Sequence, residues 1–282
     1  MALITMRDIE KISPVFTGEK GNKLANKLLH ITGIDKLSER YSRHEDLQGP
    51  EFVEAFLKDL GVDYQVGGID NLKQLAEGPF ITISNHPYGG LDGLILIDLI
   101  GHFRNDFKVM ANQFLTLVKT IKNNFISVIP TTRDALKVTN ENIAGVRMFI
   151  NQIKNGSPLG VFPSGAVSDL HLNGVRDREW QSSAIRLIQK MNVPVLPVRF
   201  FDKNSYYFYL LGWISWKIRV LRLPKEVLNK VGKQVRIGLG PIISVDKQLE
   251  QKSEEAFGQL LRHSVYDMEM PDDFIKRSQV CF

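Results

Sequence analysis

Phe80-Ile81-Thr82-Ile83-Ser84-Asn85-His86-Pro87-Tyr88-Gly89-Gly90-Leu91-Asp92-Gly93 is the stretch on which the reading of this chain turns. Phe80–Ser84 is a short apolar, β-rich run, which predicts a buried strand. Leu91–Ile100 is apolar almost throughout and predicts a buried helix. Between them lies a turn rich in Pro and Gly that carries a histidine and an aspartate. Strand, loop and helix in this order mark the place where open α/β sheets put their chemistry. A histidine oriented by a carboxylate is the minimum apparatus for taking a proton from a hydroxyl or an amine. Asp92 also stands where a helix N-cap or first-turn carboxylate is favoured, and that role is compatible with the other.

The same texture extends in both directions. Residues 1–61 read as helical: Leu24, Leu28, Leu29 and Ile31 keep helical spacing, as do Phe52, Ala55, Phe56 and Leu60 before Gly61. From Val62 onward, short β-rich runs alternate with helical patterns. The runs are Val62–Val66, Phe80–Ser84, Phe107–Met110, Ile126–Ile129, Leu159–Phe162, Val195–Phe200 and Val235–Gly238. Helical patterns fall near 91–103, 111–123, 139–154, 180–191 and 247–266. Alternation of this kind predicts an α/β fold with a mostly parallel sheet flanked by helices. The expected organisation is an N-terminal helical element over 1–61, an α/β domain over 62–270 and a polar tail over 271–282.

Composition narrows the class. The chain has 282 residues, 43% of them apolar and 24% charged, with a net charge of +5. These values suit a globular protein with a full core and a preference for anionic partners. A single cysteine, Cys281, excludes an intramolecular disulfide framework and fits a reducing compartment. The first residues show no basic region followed by an apolar segment, so no secretory leader is expected. No run of 18 apolar residues suggests a spanning helix.

Three further blocks carry candidate chemistry. Phe162-Pro163-Ser164-Gly165-Ala166-Val167 follows a strand and enters a Pro/Gly turn. Ile129-Pro130-Thr131-Thr132-Arg133-Asp134 follows another strand, and its Arg133 either meets an anion or pairs with Asp134. Val193-Pro194-Val195-Leu196-Pro197-Val198 is a strand bracketed by prolines. The histidines at 30, 44, 86, 102, 171 and 263 lack metal-ligand spacing, so no metal is expected. Neither a G-x-S-x-G elbow nor a phosphate loop is present, and no nucleic-acid motif accompanies the basic charge.

In this order the four blocks resemble the glycerolipid, or lysophosphatidate-type, acyltransferase superfamily. The likeness is strongest to its bacterial hemolysin-like branch, which includes O-acyltransferases of amino-acid lipids. It covers roughly residues 70–245, and Gly21–Tyr41 and Asp177-Arg178-Glu179-Trp180 also look like that branch. The resemblance implies an O-acyltransferase in which His86 is the general base and Asp92 orients it. It places Asn85 among the substrate-binding residues, Arg133 and Phe162, Pro163, Ser164 and Gly165 at the acceptor head group, and Pro194 and Pro197 on the acyl side. It implies no bound cofactor, with acyl carrier protein or coenzyme A thioester as co-substrate, a lyso-lipid as acceptor and no nucleic acid. It also implies a membrane-facing N-terminal helical element and peripheral attachment at the cytoplasmic face of the inner membrane.

The sequence departs from the family pattern twice. The family spaces its histidine and aspartate by four residues, whereas five intervene here, Pro87–Leu91. Gly89 and Gly90 are expected to absorb the extra one, which favours Asp92 over Asp98 as the partner. The family's Phe-Pro-Glu-Gly-Thr-Arg block reads Phe162-Pro163-Ser164-Gly165-Ala166-Val167. Loss of that arginine removes a group suited to a phosphate monoester. The acceptor is therefore expected to be a lyso-lipid with another head group, unless Arg176 or Arg178 compensates. Finally, Tyr206, Tyr207, Phe208, Tyr209, Trp213 and Trp216 precede Lys217, Arg219 and Arg222. This segment suits either the headgroup boundary of an anionic membrane or a buried strand and hairpin. A thioester hydrolase and a non-catalytic lipid-binding module remain as rival functions.

Overall fold

The computed structural model describes residue 10 and residues 13–112, 118–128 and 140–282. Eight strands form one sheet in the order β10-β1-β9-β8-β2-β5-β3-β4. They are β1 (Gln65–Gly67), β2 (Ile81–Ser84), β3 (Lys108–Asn112), β4 (Phe125–Val128), β5 (Leu159–Val161), β8 (Val195–Phe200), β9 (Arg236–Leu239) and β10 (Ile275–Lys276). A separate two-stranded hairpin, β6 (Asp169–His171) with β7 (Gly174–Arg176), lies outside the sheet. Pairing in the sheet is parallel except for β1 with β10 and β8 with β9. The α/β class and the mostly parallel sheet read from the sequence are both present.

Helices cover both faces, and α1 (Gly18–Thr32), α2 (Ile34–Ser42) and α4 (Ile69–Lys73) precede or lie between those named next. On one side α3 (Gly49–Leu60) and α5 (Gly90–Phe103) pack together and against the sheet. Phe52, Val53, Phe56, Leu57 and Leu60 form the buried stripe of α3, at helical spacing. Helix α5 is buried nearly all round, which explains its lack of amphipathic pattern. On the other side, α6 (Asn140–Lys154), α7 (Ser182–Met191) and α11 (Glu254–Tyr266) contribute Phe149, Ile153, Ile185, Ile188, Phe257 and Leu261 to a second cluster around Ile81, Ile83 and Leu159. Central strand β2 is fully buried, as a strand covered on both faces must be.

Several expectations are revised. The helix read near 111–123 is absent over the described residues. Strand β3 runs to Asn112, held by pairing with Val128, and a 3-10 turn occupies Lys119–Asn124. The helix read over 247–266 is two, α10 (Val245–Leu249) and α11, with Ser253 capping the second through Ala256 N–H. The aromatic segment is helical, forming α8 (Tyr206–Ile214) and α9 (Trp216–Leu228). The tail region supplies β10, whose Ile275 and Lys276 pair with Val66 and Gln65.

Candidate active site

The centre of the sheet positions the site. Strand β2 lies between β5 and β8, and all three run in parallel. The loop after β2 (85–89) and the loop after β5 (162–168) therefore emerge at the same sheet edge. The chain leaves β2 for β3 on one side and β5 for β8 on the other, the switch point at which open α/β sheets form their binding crevice.

His86 and Asp92 meet in that crevice. His86 Nδ1 lies 2.8 Å from Asp92 Oδ2, with the His86 side chain 17% exposed and Asp92 wholly buried. The same Oδ2 accepts the backbone N–H of Tyr88 at 2.9 Å and of Gly89 at 3.0 Å. Burial raises the Asp92 carboxyl above its ordinary value, and His86 with the two N–H groups pulls the other way. Among the described residues no protein group takes His86 Nε2. The carboxylate beside Nδ1 favours the tautomer with its proton there, which leaves the lone pair on Nε2. The Phe162 ring lies 4.1 Å from the imidazole, centroid to centroid, and restricts its rotation.

Gly89, between the two residues, shapes the turn that brings them together. It adopts φ +82 and precedes the first turn of α5. A Cβ there would stand 2.8 Å from Leu223 Cδ2 and 3.3 Å from Val167 Cγ2. Only glycine satisfies both the backbone and the space. Gly165 is equally constrained, with φ +63 and a built Cβ 2.1 Å from Gln181 Nε2.

A second buried carboxylate, Asp177, ties the two loops together. Its Oδ1 accepts the His86 backbone N–H at 3.1 Å and the Ser168 hydroxyl at 2.5 Å. Its Oδ2 accepts Trp180 Nε1–H at 3.2 Å. Ser168 N–H in turn donates to the His86 carbonyl at 2.9 Å. Both sides of the histidine backbone are thus fixed by the neighbouring loop. In the sequence Asp177 stood out only as part of a family-like segment, because nothing local shows that it reaches residue 86.

The other expected site residues separate. Phe162 is at the imidazole. The Asn85 amide is bonded to β8, donating to the Phe200 carbonyl at 2.9 Å and accepting from Phe200 N–H at 2.8 Å. Ser164 is buried and donates to the Ala166 carbonyl at 2.8 Å, so it closes its own turn. The Pro163 carbonyl accepts Gln181 N–H at 2.9 Å. Pro194 lies at the opposite end of the sheet from His86. Ile81 N–H donates to its carbonyl, which sets it at the start of β2, roughly 20 Å along the strand from His86. Pro197 pairs with Ile83 and is buried within the sheet, short of the crevice. Arg133 lies outside the described residues. Arg176 stacks on the Tyr266 ring at 5.6 Å, and the buried Arg178 Nε has no partner among the described residues.

Asp98 has a different role. Arg277 grips it with Nε at 2.8 Å and a terminal nitrogen at 2.9 Å, and Tyr64 Oη donates at 2.6 Å. His102 and Glu54 complete this cluster. Glu54, Asp98 and His102 have the donor spacing of a metal site, but the guanidinium already neutralises the carboxylate. The cluster ties the C-terminal strand to α5.

Two relatives are lyso-glycine lipid O-acyltransferases. The one from Phocaeicola vulgatus is 25% identical over 94% of this chain and 96% of its own length. The one from Bacteroides thetaiotaomicron is 26% identical over 86% of this chain and 88% of its own. The acyltransferase family model matches residues 26–270, which hold the His86–Asp92 pair and both crevice loops, and the chain belongs to that acyltransferase family.

Proposed function

We propose that this enzyme moves a fatty acyl group from an acyl thioester, on acyl carrier protein or coenzyme A, to the hydroxyl of a lyso-amino-acid lipid of the lyso-glycine type. The observation that carries the reading is the His86–Asp92 pair, with Nδ1 2.8 Å from a buried carboxylate and Nε2 taken by no described protein group. Nε2 takes the acceptor's hydroxyl proton as the oxygen attacks the thioester carbonyl. Collapse of the tetrahedral adduct expels the thiolate, which recovers the proton from the imidazolium. Asp92 stabilises the positive charge that passes through His86. No step calls for a metal or a bound cofactor.

Two features favour an amino-acid lipid over lysophosphatidate. Val167 stands where the family carries an arginine, and it packs beside Gly89 rather than offering a charge to a phosphate. The relatives, matched over nearly their whole lengths, are named for lyso-glycine lipid. Hydrolysis through a serine nucleophile is disfavoured, since the Ser164 and Ser168 hydroxyls are both engaged within the loop. The test is turnover of purified enzyme with an acyl thioester and each acceptor in turn. The expected result is a kcat/KM for lyso-glycine lipid at least about tenfold above that for lysophosphatidate, a difference of about 1.4 kcal/mol. The opposite preference would overturn the assignment.

A further inference from the structure

The α8–α9 hairpin has two unlike faces. Its inner face holds the catalytic loop: Tyr209 Oη donates to the Pro87 carbonyl at 2.8 Å, Arg219 donates to the Ser168 carbonyl at 3.3 Å, and Leu223 fills the space over Gly89. Its base is pinned by buried Glu226, which accepts from Ser205 N–H at 3.0 Å and the Ser205 hydroxyl at 2.8 Å. The outer face and tip are apolar, and the described residues leave them exposed. Tyr206, Leu210, Trp213, Ile214, Trp216 and Leu221 are 44–75% exposed. In α8 the spacing 206, 210, 213, 214 puts these side chains on one face. Soluble proteins rarely expose such a patch without a use for it.

The charges select the occupant. From Lys203 to Val245 the only acidic residue is Glu226, which is buried and engaged. Lys217 and Lys225 are exposed on the same hairpin. A second copy of this face would bring cation against cation. An acidic protein would satisfy the lysines and leave the indoles and isoleucine unpaired. A bilayer with anionic headgroups satisfies both, taking Trp213, Ile214 and Trp216 at the acyl boundary and the lysines at the phosphates.

We infer that the outer face of α8–α9 docks on an anionic lipid surface while the inner face braces the His86 loop, so that the crevice opens beside the bilayer that holds the acceptor. The position of the crevice relative to the substrate rests on the proposed function; the docking itself does not. The test is flotation of the full-length protein with vesicles of phosphatidylcholine alone and with added phosphatidylglycerol. Wild type is expected to float with the anionic vesicles. Trp213→Ser/Ile214→Ser/Trp216→Ser should lose about 100-fold in partitioning, and Lys217→Gln/Lys225→Gln should lose roughly fivefold for each cation removed. Acyl transfer to a short-chain acceptor dissolved as monomers should be unchanged in both variants. Failure of wild type to float, equal binding to both vesicle types, or concentration-dependent dimers abolished by the triple substitution would each overturn the inference. A floating protein without acyl transfer would instead refute the proposed reaction.

Discussion

Replacing Asp92 with asparagine separates chemistry from folding. The amide has almost the same shape, and its carbonyl oxygen can still accept the Tyr88 and Gly89 N–H groups now held at 2.9 and 3.0 Å. What it cannot supply is the negative charge 2.8 Å from His86 Nδ1. A hydrogen bond to a charged partner contributes about 1.5–3 kcal/mol, and the amide also permits the tautomer that turns a protonated Nε2 toward the substrate. The expected loss in kcat is therefore roughly 10²–10⁴-fold, with KM little changed. Stability should behave differently. Burial holds the folded-state Asp92 carboxyl above its ordinary value. A group raised in this way stabilises fully below its unfolded pKa, and that contribution is lost as pH rises through the folded one. At neutral pH the ionised side chain costs the fold, and Asp92→Asn removes that cost. Thermal melts at neutral pH should place the variant at or above wild type, while steady-state acyl transfer collapses. A variant retaining kcat within a few-fold, or one that melts far below wild type with activity lost in proportion, would refute this reasoning.

Other outcomes follow from the same contacts. Gly89→Ala forces a side chain into left-handed backbone against Leu223, at an expected cost of about 1–3 kcal/mol by denaturant titration, with activity lost as the loop shifts. Arg277→Met leaves the Asp98 carboxylate buried without its main partner, and should destabilise by roughly 3–5 kcal/mol while activity per folded molecule stays near wild type. Lys230 is buried against the Tyr88 ring, and its ammonium is brought down to about 8 by burial. Between that value and the ordinary 10.5 the unfolded chain holds the proton and the folded one does not, so this group makes stability rise with pH. Lys230→Met should flatten the rise in a denaturation series across that window and leave the protein more stable at neutral pH.

The sequence disclosed much of the sheet because β2, β5 and β8 are covered on both faces and must be apolar throughout. It disclosed the His86–Asp92 pair because both residues lie in one short turn. What it hid depends on partners distant in the chain. Strand β10 is two residues long, and its partner in β1 is about 210 positions away, so 271–282 looks like a polar tail. The same distance conceals that Arg277 claims Asp98. Strand register decides that Pro194 faces the wrong end of the sheet, and register is not written in a proline. Asn85 and Ser164 are polar residues in a loop, and burial obliges each to satisfy its groups locally, on partners that the loop sequence does not name. Asp177 reaches His86 only because α11, through Tyr266 and Arg262, presses its segment onto the crevice.

The proposed reaction depends most on the base. The measurement that reaches it directly is acyl transfer from a thioester to lyso-glycine lipid by wild type and His86→Ala, compared at equal folded concentration. The account predicts a loss of roughly 10²–10⁴-fold in the variant. Unchanged product formation without the imidazole would contradict it.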